Sequence, residues 1–440
     1  MTEQVSHNGN SESAVEACAA GISGFVRFRA DAMTHVDAAI AADGEYALPK
    51  LVRAWMLLSG RDANYHEAVA GLIHEVERCL PESAGREQGL LTALKFAHAG
   101  KGIEAVTELE TLLDQSPCDV LVHQIIQEEL FWMGRADWMR AITVQAAPAW
   151  DVTADDYGVF LSLCAFANEE AGYLEEAERC GRRAVEMVPA DIWGAHAVAH
   201  VHMMRGDITE GIAWLEGLAP HWREANQMRH HNWWHLCLLL LETGDYERIF
   251  ELLVTEVRNP ASPLVIESPA ASIDIQDVAS VLLRLELLGV DVGNHWEVLA
   301  PVCAGRVHNH GNAFGNVHDI MVLAATGQLA EADELLSSMR ETYLTREGSV
   351  ALSYQAAAIP VCEAVLAHRK GDYQGVLSWL SGVRHDLSLM GASHAQRDVF
   401  YQLLVFAARQ LGRKDLCAVY LREITRLGFA GVEGRVAYQV

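Results

Sequence analysis

Residues 193–215 read WGAHAVAHVHMMRGDITEGIAWL. A stretch rich in Ala and Val runs into Gly206, a polar residue follows, and a second apolar-periodic stretch begins. Glycine tolerates the left-handed conformation that ends a helix within one residue, so the segment reads as helix–turn–helix. The same context recurs at Gly60, Gly100, Gly134, Gly172, Gly206, Gly244, Gly289, Gly327, Gly371 and Gly412. Successive gaps are 40, 34, 38, 34, 38, 45, 38, 44 and 41 residues. A spacing of about 34 is that of tetratricopeptide repeats, whose unit is a two-helix hairpin. Ala177 and Ala332 follow their glycines at the place where two such helices cross closely. The longer gaps imply stretched loops, and NPASPLVIESPAAS at 259–272 is the clearest candidate for a loop over a binding face.

The expected architecture is therefore all-α. It comprises a disordered tail over residues 1–14 and a single tetratricopeptide-like α-solenoid over 15–440. About ten hairpins would curl around a concave central groove.

Composition supports this and narrows the function classes. Of 440 residues, 51% are hydrophobic, which is ample for a core. The formal net charge is −26, a surface that repels phosphate backbones and anionic membranes, so no nucleic acid and no membrane is expected as partner. Wholly apolar runs such as LCLLLL at 236–241 fall well short of the roughly 20 residues a bilayer requires. The start MTEQVSHNGNSESAVEA lacks the basic and apolar stretches of a signal peptide. Nine scattered cysteines, with no CxxC, are the usage of a reduced, cytoplasmic protein.

Several long segments resemble the tetratricopeptide-repeat protein 38 family: YGVFLSLCAFANEEAGYLEEAE (157–178), the stretch quoted first, HNWWHLCLLLLETGDYE (231–247) and DIQDVASVLLRLELLGV (274–290). The resemblance runs from about residue 30 to beyond 330 and implies a tetratricopeptide-like solenoid. It implies little about activity. The family pattern carries an acidic residue shortly after the second His of HAVAH, where this chain has Met203.

Two helices each hold a histidine pair at i, i+4, His196 with His200 and His231 with His235, so each pair shares a helix face. In such hairpins the first helix lines the concave side. His196 lies ten residues before its glycine, His235 nine, and His318 nine, which puts three inner helices' histidines at one height. His202 and His230 fall out of phase with these. Asp274 and Asp277, near the start of the helix between, read as helix caps or as partners of the cluster. Glu169 and Glu170 sit at a helix C-terminus, where ion pairs with Arg179 or Arg182 are the favoured reading.

Three readings stay open. The first is a divalent metal such as zinc on His196, His200, His235 and Asp277. The second is a small-molecule pocket in which His196, His200, His231, His235 and His318 perform hydrolytic or acid–base chemistry, walled by Trp193, Trp233 and Trp234. The third is a set of structural histidines in a protein–protein interaction scaffold. The pocket is the leading expectation, because the inner helices carry His, Trp and aliphatic residues rather than Lys, Arg and Asn. A homo-oligomer stays open. GxSxG, GxxxxGK and GxGxxG motifs are absent from the sequence.

Overall fold

A computed structural model describes residues 10–81 and 83–439. Among these residues the regular structure is helical, with one isolated antiparallel bridge between Arg29 and Ala225. Each glycine named above separates a first helix from a second. Representative hairpins are Tyr157–Glu170 with Leu174–Met187, Ile192–Arg205 with Ile208–Leu218, and Ala313–Ala325 with Leu329–Tyr343. In the unit after Gly289 the second helix shrinks to Ala300–Ala304. The chain is thus an all-α solenoid of the tetratricopeptide-like class.

The glycine reading holds at nine of the ten turns, where φ lies between +65° and +83°. Gly60 is the exception. Its φ is −63°, and Arg61 takes the left-handed conformation at +49° instead. Arg61 is held there by an ion pair with Glu129 at 2.5 Å. Gly311 also packs so closely on the Arg61 carbonyl that a Cβ at 311 would lie 2.3 Å from its oxygen. Ala177 and Ala332 are fully buried, as close helix crossings require.

Two segments depart from the expected plan. Residues 1–9 of the expected tail lie outside the described residues. Residues 12–14 are helical, because the Ser11 side chain caps Glu12–Val26 by accepting from the Ala14 amide. That helix pairs with Ala32–Ala42 to make an additional hairpin. The 259–272 segment is no open loop. It contains the helix Pro263–Glu267, buries Val265, and is tied down by Arg229 on Ser262 (3.0 Å) and Arg306 on the Ala270 carbonyl (2.8 Å).

First and second helices differ in how much they bury. Ile192–Arg205 buries every residue except Trp193 and Arg205, whereas Leu174–Met187 buries a single stripe of Ala177, Cys180, Gly181, Ala184 and Val185. A helix apolar all round is one covered on all sides. The cover comes from the C-terminal third. Asn309 bonds Asp62 and the Ala63 amide, Ser349 meets Gly100 and Gly102, Ser388 presses on Gly134, and Ala430 donates to the Met204 carbonyl. The last first-helix, His394–Gln410, packs onto Ser272–Leu287, where Arg284 donates to the Ala395 carbonyl at 2.8 Å. The inner face therefore meets protein at this level.

One helical stretch, Ser349–Arg369, is long and apolar enough to cross a membrane by length and composition, contrary to the expectation from short apolar runs. Two thirds of its most apolar window (67%) is buried inside the fold, the setting of a core helix.

Candidate functional site

Two neighbouring inner helices, Ile192–Arg205 and Met228–Thr243, bring their histidine pairs together. His196, His200, His231 and His235 are between 0 and 3% exposed, and each offers a ring nitrogen within 4.8 Å of the others. The His200 Nε2 lies 2.9 Å from the His196 Nε2 and 3.0 Å from the His235 Nε2. The i, i+4 spacing sets each pair on one face, and direct packing of Ile192–Arg205 on Met228–Thr243 sets one face against the other.

Behind the rings stands a second row of partners. The His200 Nδ1 lies 3.1 Å from Glu169, on the preceding inner helix. The His231 Nδ1 lies 2.9 and 3.1 Å from the two Asp277 oxygens, on the following one. The His235 Nδ1 faces the Met203 sulfur at 3.2 Å. Four consecutive inner helices thus contribute to one polar cluster inside the apolar core. Phe166 and Trp193 pack on His196, with centroids at 5.4 and 4.7 Å, and Trp234 stacks on His231 at 4.8 Å.

Burial, reinforced by the neighbouring imidazoles, pushes His196 and His235 well below the usual histidine range, so both rings are neutral near pH 7. Burial raises Asp277, opposed by His231. Burial works on Glu170 in the same direction, but His394, Arg397 and His200 together outweigh it and hold that carboxyl low.

The structure corrects several expectations at this site. His318 does not join the cluster. Its Nδ1 bonds the Phe314 carbonyl at 2.8 Å and its ring packs on Phe314 and Phe400. Asp277 stands behind His231 as a hydrogen-bond acceptor, and His231 takes its expected place among the converging nitrogens. Neither Asp274 nor Asp277 caps its helix, because Ala271 occupies the cap; Asp274 instead pairs with His230 at 3.0 Å. Trp233 packs edge-on against Trp222 rather than walling the cluster. Glu169 does not pair with Arg179 or Arg182, which bond Glu176 and Glu178. Its role was missed, yet a signal existed: an acidic residue on a helix apolar all round must be buried and partnered. His202 turns away from the cluster toward Arg182, as its phase predicts.

An open cavity of about 370 Å³ lies beside the cluster, not in it. Val26, Phe28, Val159, Met187 and Trp193 give it an apolar floor, with Arg27, Arg223 and Glu224 at its edge. Trp193 is the shared wall: one face stacks on Phe28 at 4.9 Å, and the ring also stacks on His196. Its Nε1 donates to Gln127 at 2.9 Å. Phe28 is held in the left-handed region, φ +55°, by bonds that strap the 28–30 turn to Glu224 and Asn226.

No family model matches the chain. Among solved structures it is similar to yeast Tom70, with 12% identity over 97% of this chain and 87% of that one, at a TM-score of 0.37. It is similar to the human IFIT1 dimer with m7Gppp-AAAA, with 12% identity over 95% of each chain, at a TM-score of 0.40. It is also similar to the pentatricopeptide repeat protein PPR10 from maize, with 16% identity over 95% of this chain and 69% of that one, at 0.28. The assignment of this chain as a tetratricopeptide-like repeat protein rests on its own hairpins.

Proposed function

We propose that the protein is a binding scaffold of the tetratricopeptide type, in which the clustered histidines are structural. One observation carries this reading. The four imidazoles are enclosed, and none of them lines the open cavity beside the cluster. A catalytic base must come within hydrogen-bond reach of a substrate, and Trp193 stands between His196 and that cavity. The resemblance of the quoted motifs to the tetratricopeptide-repeat protein 38 family agrees with a repeat scaffold.

The recognition site in this reading is the cavity floored by Phe28 and Trp193. An apolar floor with charged groups at the rim suits an aromatic or long aliphatic side chain of a partner polypeptide. The net charge of −26 favours a partner segment that is basic around that anchor. A second reading, a small-molecule pocket, draws on the same cavity, whose 370 Å³ falls in the ligand-sized range.

The test is a titration with two fluorescent probes: a lysine-flanked tryptophan peptide, and the apolar dye 1-anilinonaphthalene-8-sulfonate. Ala190→Trp, at the exposed rim, narrows the cavity without touching the core. The scaffold reading expects peptide binding that weakens with salt and falls at least about tenfold in the variant. Dye binding without peptide binding favours the small molecule. Equal binding by variant and wild type removes the cavity from both readings.

A further inference from the structure

We infer that His196, His200, His231 and His235 form a closed divalent-metal site of four imidazole nitrogens, suited to zinc, which clamps two successive repeats. The inference is independent of what the scaffold binds.

Four ring nitrogens lie within 4.8 Å of one another, and acceptor groups stand behind three of the rings. A carboxylate accepts hydrogen bonds and donates none, so Glu169 and Asp277 each accept from the Nδ1–H of the ring they face. With Nδ1 engaged outward, Nε2 is the atom through which His200 and His231 can each hold a cation. Met203 acts in the same sense, because a thioether sulfur is a weak acceptor and no donor, which selects the Nδ1–H form of His235. The His200 Nε2 faces the His235 Nε2 at 3.0 Å. His196 has no partner for its Nδ1, so its Nε2–H can donate to His200 at 2.9 Å. That single proton satisfies one contact of the cluster. A cation at the centre satisfies all four at once.

The ligand set specifies the metal class. Four neutral nitrogens with no thiolate and no ligating carboxylate select a borderline metal rather than calcium or magnesium. Zinc–nitrogen bonds of 2.0–2.1 Å imply nitrogens about 3.3 Å apart in a tetrahedron. The two short separations here, 2.9 and 3.0 Å, require a small outward shift, within a group that lies inside 4.8 Å. Four protein ligands leave no open position, which is the signature of a structural site. Glu169 and Asp277 play the part of outer partners that orient ligating imidazoles. The metal would join Ile192–Arg205 to Met228–Thr243 directly. Through the carboxylates it would join Tyr157–Glu170 and Ser272–Leu287 as well.

The experiment uses the full chain produced in zinc-containing medium. Metal content is measured by mass spectrometry before and after chelation, and chelated protein is then titrated with zinc and with cobalt(II). The expected result is about one zinc per chain, with tetrahedral cobalt absorption that zinc abolishes. Asp277→Asn and Glu169→Gln preserve shape and should weaken zinc by roughly 10–100-fold each while leaving the circular dichroism of the holo-protein unchanged. His200→Gln with His235→Gln should abolish binding. Wild-type protein that is folded but takes up no zinc at micromolar concentration overturns the proposal. So does a double histidine variant that binds zinc as tightly as wild type, because the metal would then lie elsewhere.

Discussion

His318 and the four clustered histidines start from the same sequence evidence and end in different chemistry. All lie on inner helices, and His235 and His318 stand at the same height relative to their glycines. His235 meets three other imidazoles, whereas His318 meets two phenylalanines and a backbone carbonyl. The cause is separation along the solenoid. Packed helices lie about 8–10 Å apart, so only immediate neighbours can bring side chains together. Ile192–Arg205 and Met228–Thr243 are immediate neighbours, while Ser272–Leu287 stands between Met228–Thr243 and Ala313–Ala325. Register gives the height of a side chain; adjacency decides whether it has company. A cluster of imidazoles can share a cation, whereas burial keeps the isolated His318 neutral near pH 7.

The largest effect that separates the two regions is metal dependence. Zinc at a thousandfold excess over its dissociation constant should stabilise the folded chain by about 4 kcal/mol over chelated protein. Denaturant unfolding with and without chelator measures it, and His318→Leu should leave the difference intact. A zinc effect that vanishes with His318→Leu would break the comparison.

The next effect is acid sensitivity at the isolated histidine. Burial holds His318 at about 4, against 6.5 for a free imidazole, with only partial relief from the Phe314 carbonyl. A lowered folded-state value means that the unfolded chain binds the extra proton between about pH 6.5 and 4. Stability is therefore full above pH 6.5 and falls as pH drops through that window, by on the order of 3 kcal/mol. His368, also at about 4 through burial, adds a loss of the same sign. His318→Leu should flatten its share of the pH dependence, read from unfolding midpoints at pH 7 and pH 4.5. An unchanged slope would mean that His318 reaches water.

A smaller effect distinguishes the two buried His–Asp pairs. Asp277→Asn should loosen zinc by roughly 10–100-fold, about 1.4–2.7 kcal/mol. Asp274→Asn perturbs the His230 pair, outside the converging group, and should leave zinc affinity unchanged. Equal losses in the two variants, measured by competition with a chromogenic chelator, would show that affinity follows general core stability.

How much of this was legible in the sequence follows from what each signal encodes. The ten glycines encode local backbone conformation, so the hairpins could be read from them. Gly60 shows the limit, because contacts from Glu129 and Gly311 moved the left-handed residue one step along the chain. The i, i+4 pairs encode a helix face, and four of the five histidines met as their faces required. Asp277 was seen as a member of the site but read as a ligand, since spacing along a helix does not say which atom of a neighbour it will reach. Glu169 was assigned to arginines that sit on the outer helix. The all-round apolar character of YGVFLSLCAFANEE argued for burial and against solvent-side pairing. Cover by the C-terminal third was unreadable because its contacts span up to 249 residues.

The smallest prediction tests the signal on which the register itself rests. Gly172 has φ +83° with nothing within 4 Å of where a Cβ would stand, so Gly172→Ala isolates backbone strain from crowding. Gly71 also has open space, but it lies within the helix His66–Cys79 with ordinary helical φ. Gly172→Ala should cost about 1 kcal/mol, the penalty for a side chain in the left-handed region. Gly71→Ala should gain about 0.5–1 kcal/mol, because alanine loses less conformational freedom in a helix. The opposite signs, read from unfolding midpoints, follow from φ alone. If both substitutions stabilise, Gly172 is not required by its turn, and the height assigned to each histidine by counting from its glycine loses its physical basis.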